Sequence, residues 1–279
     1  MKAEKMLEKI KDTASWLENK TGGFKPEILM ITGSGLSNAV PELFNKKIIS
    51  YSQIPGFVKT TVSGHTGELW LGETADKTKM AVMRGRFHYY EGHDMSFISY
   101  PIRLLNYMGA QKIIVTAAVG SLRKKIIPGD IVILRDQINL MFSNPLIGNY
   151  HPKFGEMFVD MNNPYDPVTI SKAQKICSKL KIKAHKGVYL AVSGPAYETA
   201  SEVKMYASLG GDVAGMSVVP EVITARQLKM KVLGLAWISN FATGISKKEF
   251  DHSLVLKLGE AAGSKIKKII EALLKEKAF

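Results

Sequence analysis

The chain has 279 residues, enough for one large α/β domain or two small ones. At 46% apolar and 23% charged it reads as globular rather than disordered, and no stretch approaches the roughly 20 apolar residues of a membrane span. The formal charge of +13, from 38 basic and 25 acidic residues, favours acidic partners, but the lysines are spread out and their densest runs are short, so no nucleic-acid partner is expected.

The opening MKAEKMLEKIK mixes acids with lysines and lacks an apolar core, so it does not read as a signal peptide. With Cys177 as the one cysteine, a cytoplasmic setting is expected. Residues 3–19 place Leu7, Ile10, Ala14 and Leu17 on one side of a predicted helix. KPEILMITGSG gives a buried strand over 28–32 and a glycine-rich turn that opens a helix. Short strands follow at 68–73 and 79–83, then a helix from Ser96 to Met108 whose start Pro101 complicates. KIIVTAAVG (112–120) and PGDIVIL (128–134) read as strands. Residues 135–168 are rich in Asn, Pro and Gly, have no clear period, and form a loop long enough to need a purpose.

Beyond that loop the pattern resumes. A helix is predicted over 169–181 and a strand over 187–192, and Thr199 and Glu202 have the spacing of a capping box for a helix to about 209. Ser217 is a candidate cap for a helix over 218–229. A strand at 231–240 and a helix at 252–276 complete the series. Alternating strands and helices with no repeat and no linker predict a single α/β domain over 1–279: a mixed central sheet flanked by helices, with 1–26 as N-terminal helix and lead-in.

Ligands of such sheets sit beyond the carboxyl ends of the strands, and six polar or glycine-rich segments fall there: GSGLS, GRFHYYEGH, TAAVGS, SGPAYET, GMSVVPE and SNFATG. GSGLS can present backbone N–H groups and the Ser34 hydroxyl to an anion, but it is neither GxGxxG nor a P-loop, which disfavours nicotinamide and nucleotide-hydrolysing chemistry. Arg86 can pair two-pronged with phosphate and His88 can add a hydrogen bond. The histidines at 65, 88, 93, 151, 185 and 252 form no metal motif, so no metal is expected. Glu198, beside Tyr197, can accept an N–H from a stacked heterocycle, and the Asn240 amide can donate to and accept from a purine edge.

In order along the chain, ITGSGL, SGHTG, GRFHYYEG, INLMFSNPLIG, SGPAYET, GMSVVPEV with TAR close behind, and a strand ending in SN before ATGIS resemble the trimeric purine nucleoside phosphorylases, or inosine-guanosine phosphorylases, from about residue 27 onward. The resemblance implies a nucleoside phosphorylase-like fold and a pentosyltransferase of purine salvage. It would cleave inosine and guanosine, or their deoxy forms, with orthophosphate as co-substrate and no cofactor. It implies a phosphate site of Ser34, His65, Arg86, His88, the Ala118 backbone N–H and Ser217. The base site would be Tyr197, Glu198 and Asn240, with His88, Glu198 and Asn240 as the catalytic groups. Tyr90, Met216 and His252 would meet the ribose, and Phe158, on the long loop, would reach the neighbouring site of a homotrimer.

Some positions depart from the family. Ala117-Ala118-Val119-Gly120-Ser121 stands where Asn-Ala-Ala-Gly-Gly is common, Ser239 where threonine is common, and Phe158-Val159-Asp160-Met161 where Phe-Pro-x-Met is common. A methylthioadenosine or adenosine phosphorylase of the same fold is the alternative enzyme, although Asn240 and His252 favour a 6-oxopurine nucleoside with a 5′-hydroxyl. A hydrolytic nucleosidase and a non-catalytic nucleic-acid-binding homologue are the remaining readings.

Overall fold

The computed structural model describes residues 3–58, 66–246 and 252–279, with side chains of the last helix from Lys257 onward. His65 and the side chain of His252 lie outside the described residues.

The helical spacing of Leu7, Ile10, Ala14 and Leu17 becomes the buried stripe of α1 (Ala3–Thr21). The apolar run ILMI becomes β1 (Ile28–Ile31), buried at every position as a central parallel strand must be. Then come β2 (Phe44–Ser50), β3 (Glu68–Glu73), β4 (Lys79–Arg84), α2 (Met95–Tyr107), β5 (Lys112–Ser121) and β6 (Ile131–Leu140). The second half contains α3 (Pro167–Lys179), β7 (Ala184–Val192), α4 (Ala200–Ser208), β8 (Val213–Gly215), α5 (Val219–Gln227), β9 (Lys231–Phe241) and α6 (His252–Lys275).

Among the described residues the strands form one mixed sheet in the order β2-β3-β4-β1-β5-β8-β7-β6-β9. A further pairing of β5 with β9 closes the last five strands into a ring. Around the sheet α1 packs on α2, α2 on α5, and α3 on α6, which makes a single α/β domain. Among the described residues no helix is long and apolar enough to cross a membrane.

One edge of β5 pairs with β9 along its length; the other pairs with β1 up to Val115 and with β8 from Gly120. Residues 116–119 therefore have no strand on that second edge, and the sheet forks there. Such a fork frees backbone groups at the carboxyl end of β1, the place where open α/β sheets bind ligands.

The structure departs from the sequence reading in four places. The turn after β1 leads into a short 3₁₀ turn, Ser37–Ala39, not a helix. Strand β2 lacks alternation because it is an edge strand with its first five residues exposed, and Lys46 and Lys47 guard that edge. Strand β8 has three residues, too short for periodicity to reveal. The long loop is shorter than expected: β6 continues to Leu140 past a bulge between Leu134 and Asp136, where the apolar run stops but the pairing with β7 does not. Helix α2 runs through Pro101, which is buried with most of its neighbours, so tertiary packing outweighs the local proline cost of about 3 kcal/mol.

Candidate active site

The predicted residues contributed by six separate strands converge on one cavity of about 210 Å³. Ser34 arrives on the turn after β1, Arg86, His88 and Tyr90 on the segment after β4, and Ala118 on the forked stretch of β5. Tyr197 and Glu198 come from the β7–α4 loop, Met216 and Ser217 from the β8–α5 junction, and Asn240 from the end of β9. Gly33 lets the Ser34 turn lie flat on β5: its N–H donates to Thr116 Oγ1 at 2.9 Å, and a Cβ there would come within 2.7 Å of the Thr116 carbonyl oxygen.

Arg86 is 2% exposed. Its Nε and Nη2 donate to the two carboxylate oxygens of Glu221 at 3.0 and 3.2 Å, while Nη1 donates to Ser217 Oγ at 2.9 Å. Burial lifts the Glu221 carboxyl above the ordinary range, and the guanidinium opposes that lift. Ser217 is held in turn by Tyr189, whose hydroxyl accepts the Ser217 backbone N–H at 3.2 Å. Burial pushes the Tyr189 hydroxyl pKa up, so it stays a neutral partner.

Ser217 does not cap the following helix, as its position suggested. Val218 takes that place at φ 64°, ψ −55°, with no side-chain cap, and the Val219 N–H donates to the Ser217 carbonyl at 2.7 Å. A β-branched residue in the left-handed half of φ/ψ space is strained, and Val218 is completely buried. The tight turn leaves the Ser217 hydroxyl to Arg86 instead of the helix.

His88 is fixed by Glu91. One carboxylate oxygen of Glu91 accepts the His88 backbone N–H and lies against Nδ1, both at 2.9 Å. That contact defines which ring nitrogen is turned to the carboxylate. The imidazole also stacks on Tyr90, with centroids 4.6 Å apart. Burial first, and the nearby Glu91 charge second, push the Tyr90 hydroxyl up to about 12.

Elsewhere around the cavity the β5–β9 register slips, with Val119 opposite Ile238 and Gly120 opposite Asn240, so Ser239 is the extra residue of a bulge. The Ser239 hydroxyl lies 2.6 Å from Asn240 Oδ1, and Asn240 Nδ2 donates to the Phe241 carbonyl at 2.9 Å. The amide retains a second N–H and a second lone pair. The Glu198 carboxyl is half-buried and burial raises its pKa, with a smaller push from Glu202. It leads into the expected capping box, in which Thr199 and Glu202 exchange hydrogen bonds at 2.7 and 3.2 Å. Tyr197, at the rim, is 75% exposed.

Phe158 does not join this cavity. It is 87% exposed and lies with Met157 and Ile147 along a different, larger cavity of about 780 Å³. The other described site candidates line the smaller one. Three of the residues that anchor it, Glu221, Tyr189 and Ser239, were not assigned a place there from sequence. Glu221 left a trace: a lone carboxylate in the apolar run VVPEVI needs a buried cation.

The sequence profile of the Phosphorylase superfamily matches residues 27–275. Purine nucleoside phosphorylase 1 of Bacillus subtilis (strain 168) is 41% identical over 249 residues, covering 89% of this chain and 92% of that protein. The purine nucleoside phosphorylase of Bos taurus is 35% identical over 274 residues, covering 96% and 94%. Among solved structures, the Schistosoma mansoni purine nucleoside phosphorylase in complex with adenosine superposes with a TM-score of 0.90 at 32% identity, covering 96% of this chain and 97% of that one. A fold shared along nearly the whole chain, at identities of 32–41%, is a family relationship: the chain belongs to the purine nucleoside phosphorylases.

Proposed function

We propose that this protein catalyses the reversible phosphorolysis of 6-oxopurine nucleosides, inosine and guanosine with their deoxy forms, to free base and α-(deoxy)ribose-1-phosphate. The observation that carries this reading is one cavity lined both by Arg86, His88 and Ser217 and by Glu198 and Asn240. The first set suits an anion and the second a heterocycle with both donors and acceptors.

In this reading Ser34, Arg86, His88, Ser217 and the Ala118 backbone N–H hold orthophosphate beside the anomeric carbon. A phosphate oxygen forms the new bond to that carbon as the bond to the purine nitrogen breaks, with inversion. Positive charge grows on the sugar and is stabilised by the adjacent phosphate, while the purine leaves with the bonding electron pair and takes up a proton from solvent at N7. Asn240 meets N7–H and O6, Glu198 accepts N1–H, and Tyr197 stacks on the ring. Tyr90 and Met216 line the ribose. His65 at the phosphate and His252 at the 5′-hydroxyl complete the assignment.

The same reading makes the active form a homotrimer in which Phe158 covers a neighbour's ribose. Its exposure and its absence from the lining of its own chain's smaller cavity suit that role. A cytoplasmic setting goes with the single cysteine, whose thiol burial pushes up to about 11.

The test is a panel of inosine, guanosine, xanthosine, adenosine, methylthioadenosine and uridine, incubated with and without orthophosphate, reading free base and ribose-1-phosphate. Phosphate-dependent cleavage of inosine and guanosine is expected. Preferred cleavage of adenosine or methylthioadenosine would overturn the base-site assignment, and base release without phosphate would make the protein a nucleosidase.

A further inference from the structure

We infer that Glu221 is a positioning residue for anion binding: from behind the cavity wall it grips Arg86 two-pronged and aims the remaining edge of the guanidinium at the bound oxyanion. This rests on the reading that Arg86 meets orthophosphate.

The geometry comes from a single helix start. A guanidinium is a rigid planar fork, so two parallel hydrogen bonds fix both its position and its plane. Glu221 takes Nε and Nη2, at 3.0 and 3.2 Å, which leaves the Nη1 side turned to Ser217 at 2.9 Å. Ser217 belongs to the cavity wall and Glu221 does not. Both come from the first turn of α5 and the residues just before it, on either side of the strained Val218. The side chains of the pair are 2% and 4% exposed, so water can neither compete for the bonds nor screen them. Arg86 itself lies between a strand and a short turn, outside any regular element. Its own backbone therefore places it less firmly than a helix would, and the carboxylate supplies the missing restraint.

The family resemblance supplied Arg86 and Ser217 but gave Glu221 no task. A structural ion pair would predict that its loss harms everything alike. A positioning residue predicts a split: phosphate binding suffers and base binding does not.

Glu221→Gln and Glu221→Asp decide between them. Glutamine keeps the shape but turns an N–H₂ toward a donor, and aspartate keeps the charge but withdraws it by one methylene. Orthophosphate and hypoxanthine are each titrated by calorimetry against the full-length wild type and variants, with thermal unfolding in parallel; no turnover is needed. Orthophosphate affinity is expected to fall about 10-fold in Glu221→Gln, as loss of a charge-assisted bond implies, and less in Glu221→Asp. Hypoxanthine affinity is expected to stay within about 2-fold in both. If Glu221→Gln does not fold, Glu221→Asp decides alone: weaker phosphate binding with base binding kept supports the role. Orthophosphate affinity unchanged in a folded variant, or both ligands weakened together, would overturn it. If the wild type binds neither ligand, the proposed reaction fails instead.

Discussion

The two groups of residues that line the cavity, called here its arginine end and its asparagine end, are built differently. At the arginine end three polar groups each have a buried partner: Arg86 has Glu221, His88 has Glu91, and Ser217 has Tyr189. At the asparagine end Tyr197 is mostly exposed, Glu198 is half-buried, and Asn240 is held by its own neighbours in the chain, Ser239 and Phe241. A buried charge must be paired or it costs several kcal/mol, so an anion site has to be braced from deep in the fold. A heterocycle with little net charge makes no such demand, and its contacts can sit on a loop at the rim.

That contrast can be broken by substitution. The largest loss is expected from Arg86→Met, which removes a charged donor and strands Glu221: kcat/KM for phosphate falls about 10²–10³-fold. A loss smaller than about 10-fold in a folded variant, read by phosphate titration at saturating inosine, would mean the arginine end is not where the anion binds.

Next comes Glu198→Gln, expected to lower kcat/KM for inosine about 10²-fold. The pH profile sharpens the assignment. Burial raises the Glu198 pKa, and the ionised carboxylate is the stronger acceptor for N1–H in the proposed reaction, so activity is expected to drop as pH falls through the raised value. The acid limb of kcat/KM for inosine is therefore expected above the ordinary Glu value of about 4.3 and absent from the glutamine variant. A limb retained unchanged would assign it to another group.

The smallest effect belongs to Tyr197→Ala. Stacking on an exposed ring contributes about 0.5–1.5 kcal/mol, so the KM for inosine should rise about 3- to 10-fold while turnover at saturation changes little. If turnover at saturation instead dropped by about two orders of magnitude, the rim would be as tightly coupled to the chemistry as the arginine end.

Much of the fold was legible in the sequence because burial leaves periodic marks. The stripe of α1, the apolar runs of β1, β5 and β9, and the Thr199–Glu202 cap were each readable from local pattern. The edge strand β2 and the short β8 were not, because one is exposed and the other has three residues. At the site, the quoted motifs supplied the residues whose side chains line the cavity, since those come in short contiguous blocks. Ten of the residues assigned there meet around it.

The sequence by itself determined the α/β alternation, the family and the groups offered to a ligand, because each of these is written within a few neighbouring residues. Only the tertiary structure decided how those groups are held. The Arg86–Glu221 pair joins residues 135 apart, and Tyr189 meets Ser217 across 28. The fork of β5 and the bulge at Ser239 depend on which strands come to lie side by side. Such contacts exist only after the chain closes over them, and no local pattern records which distant partner a buried charge will find.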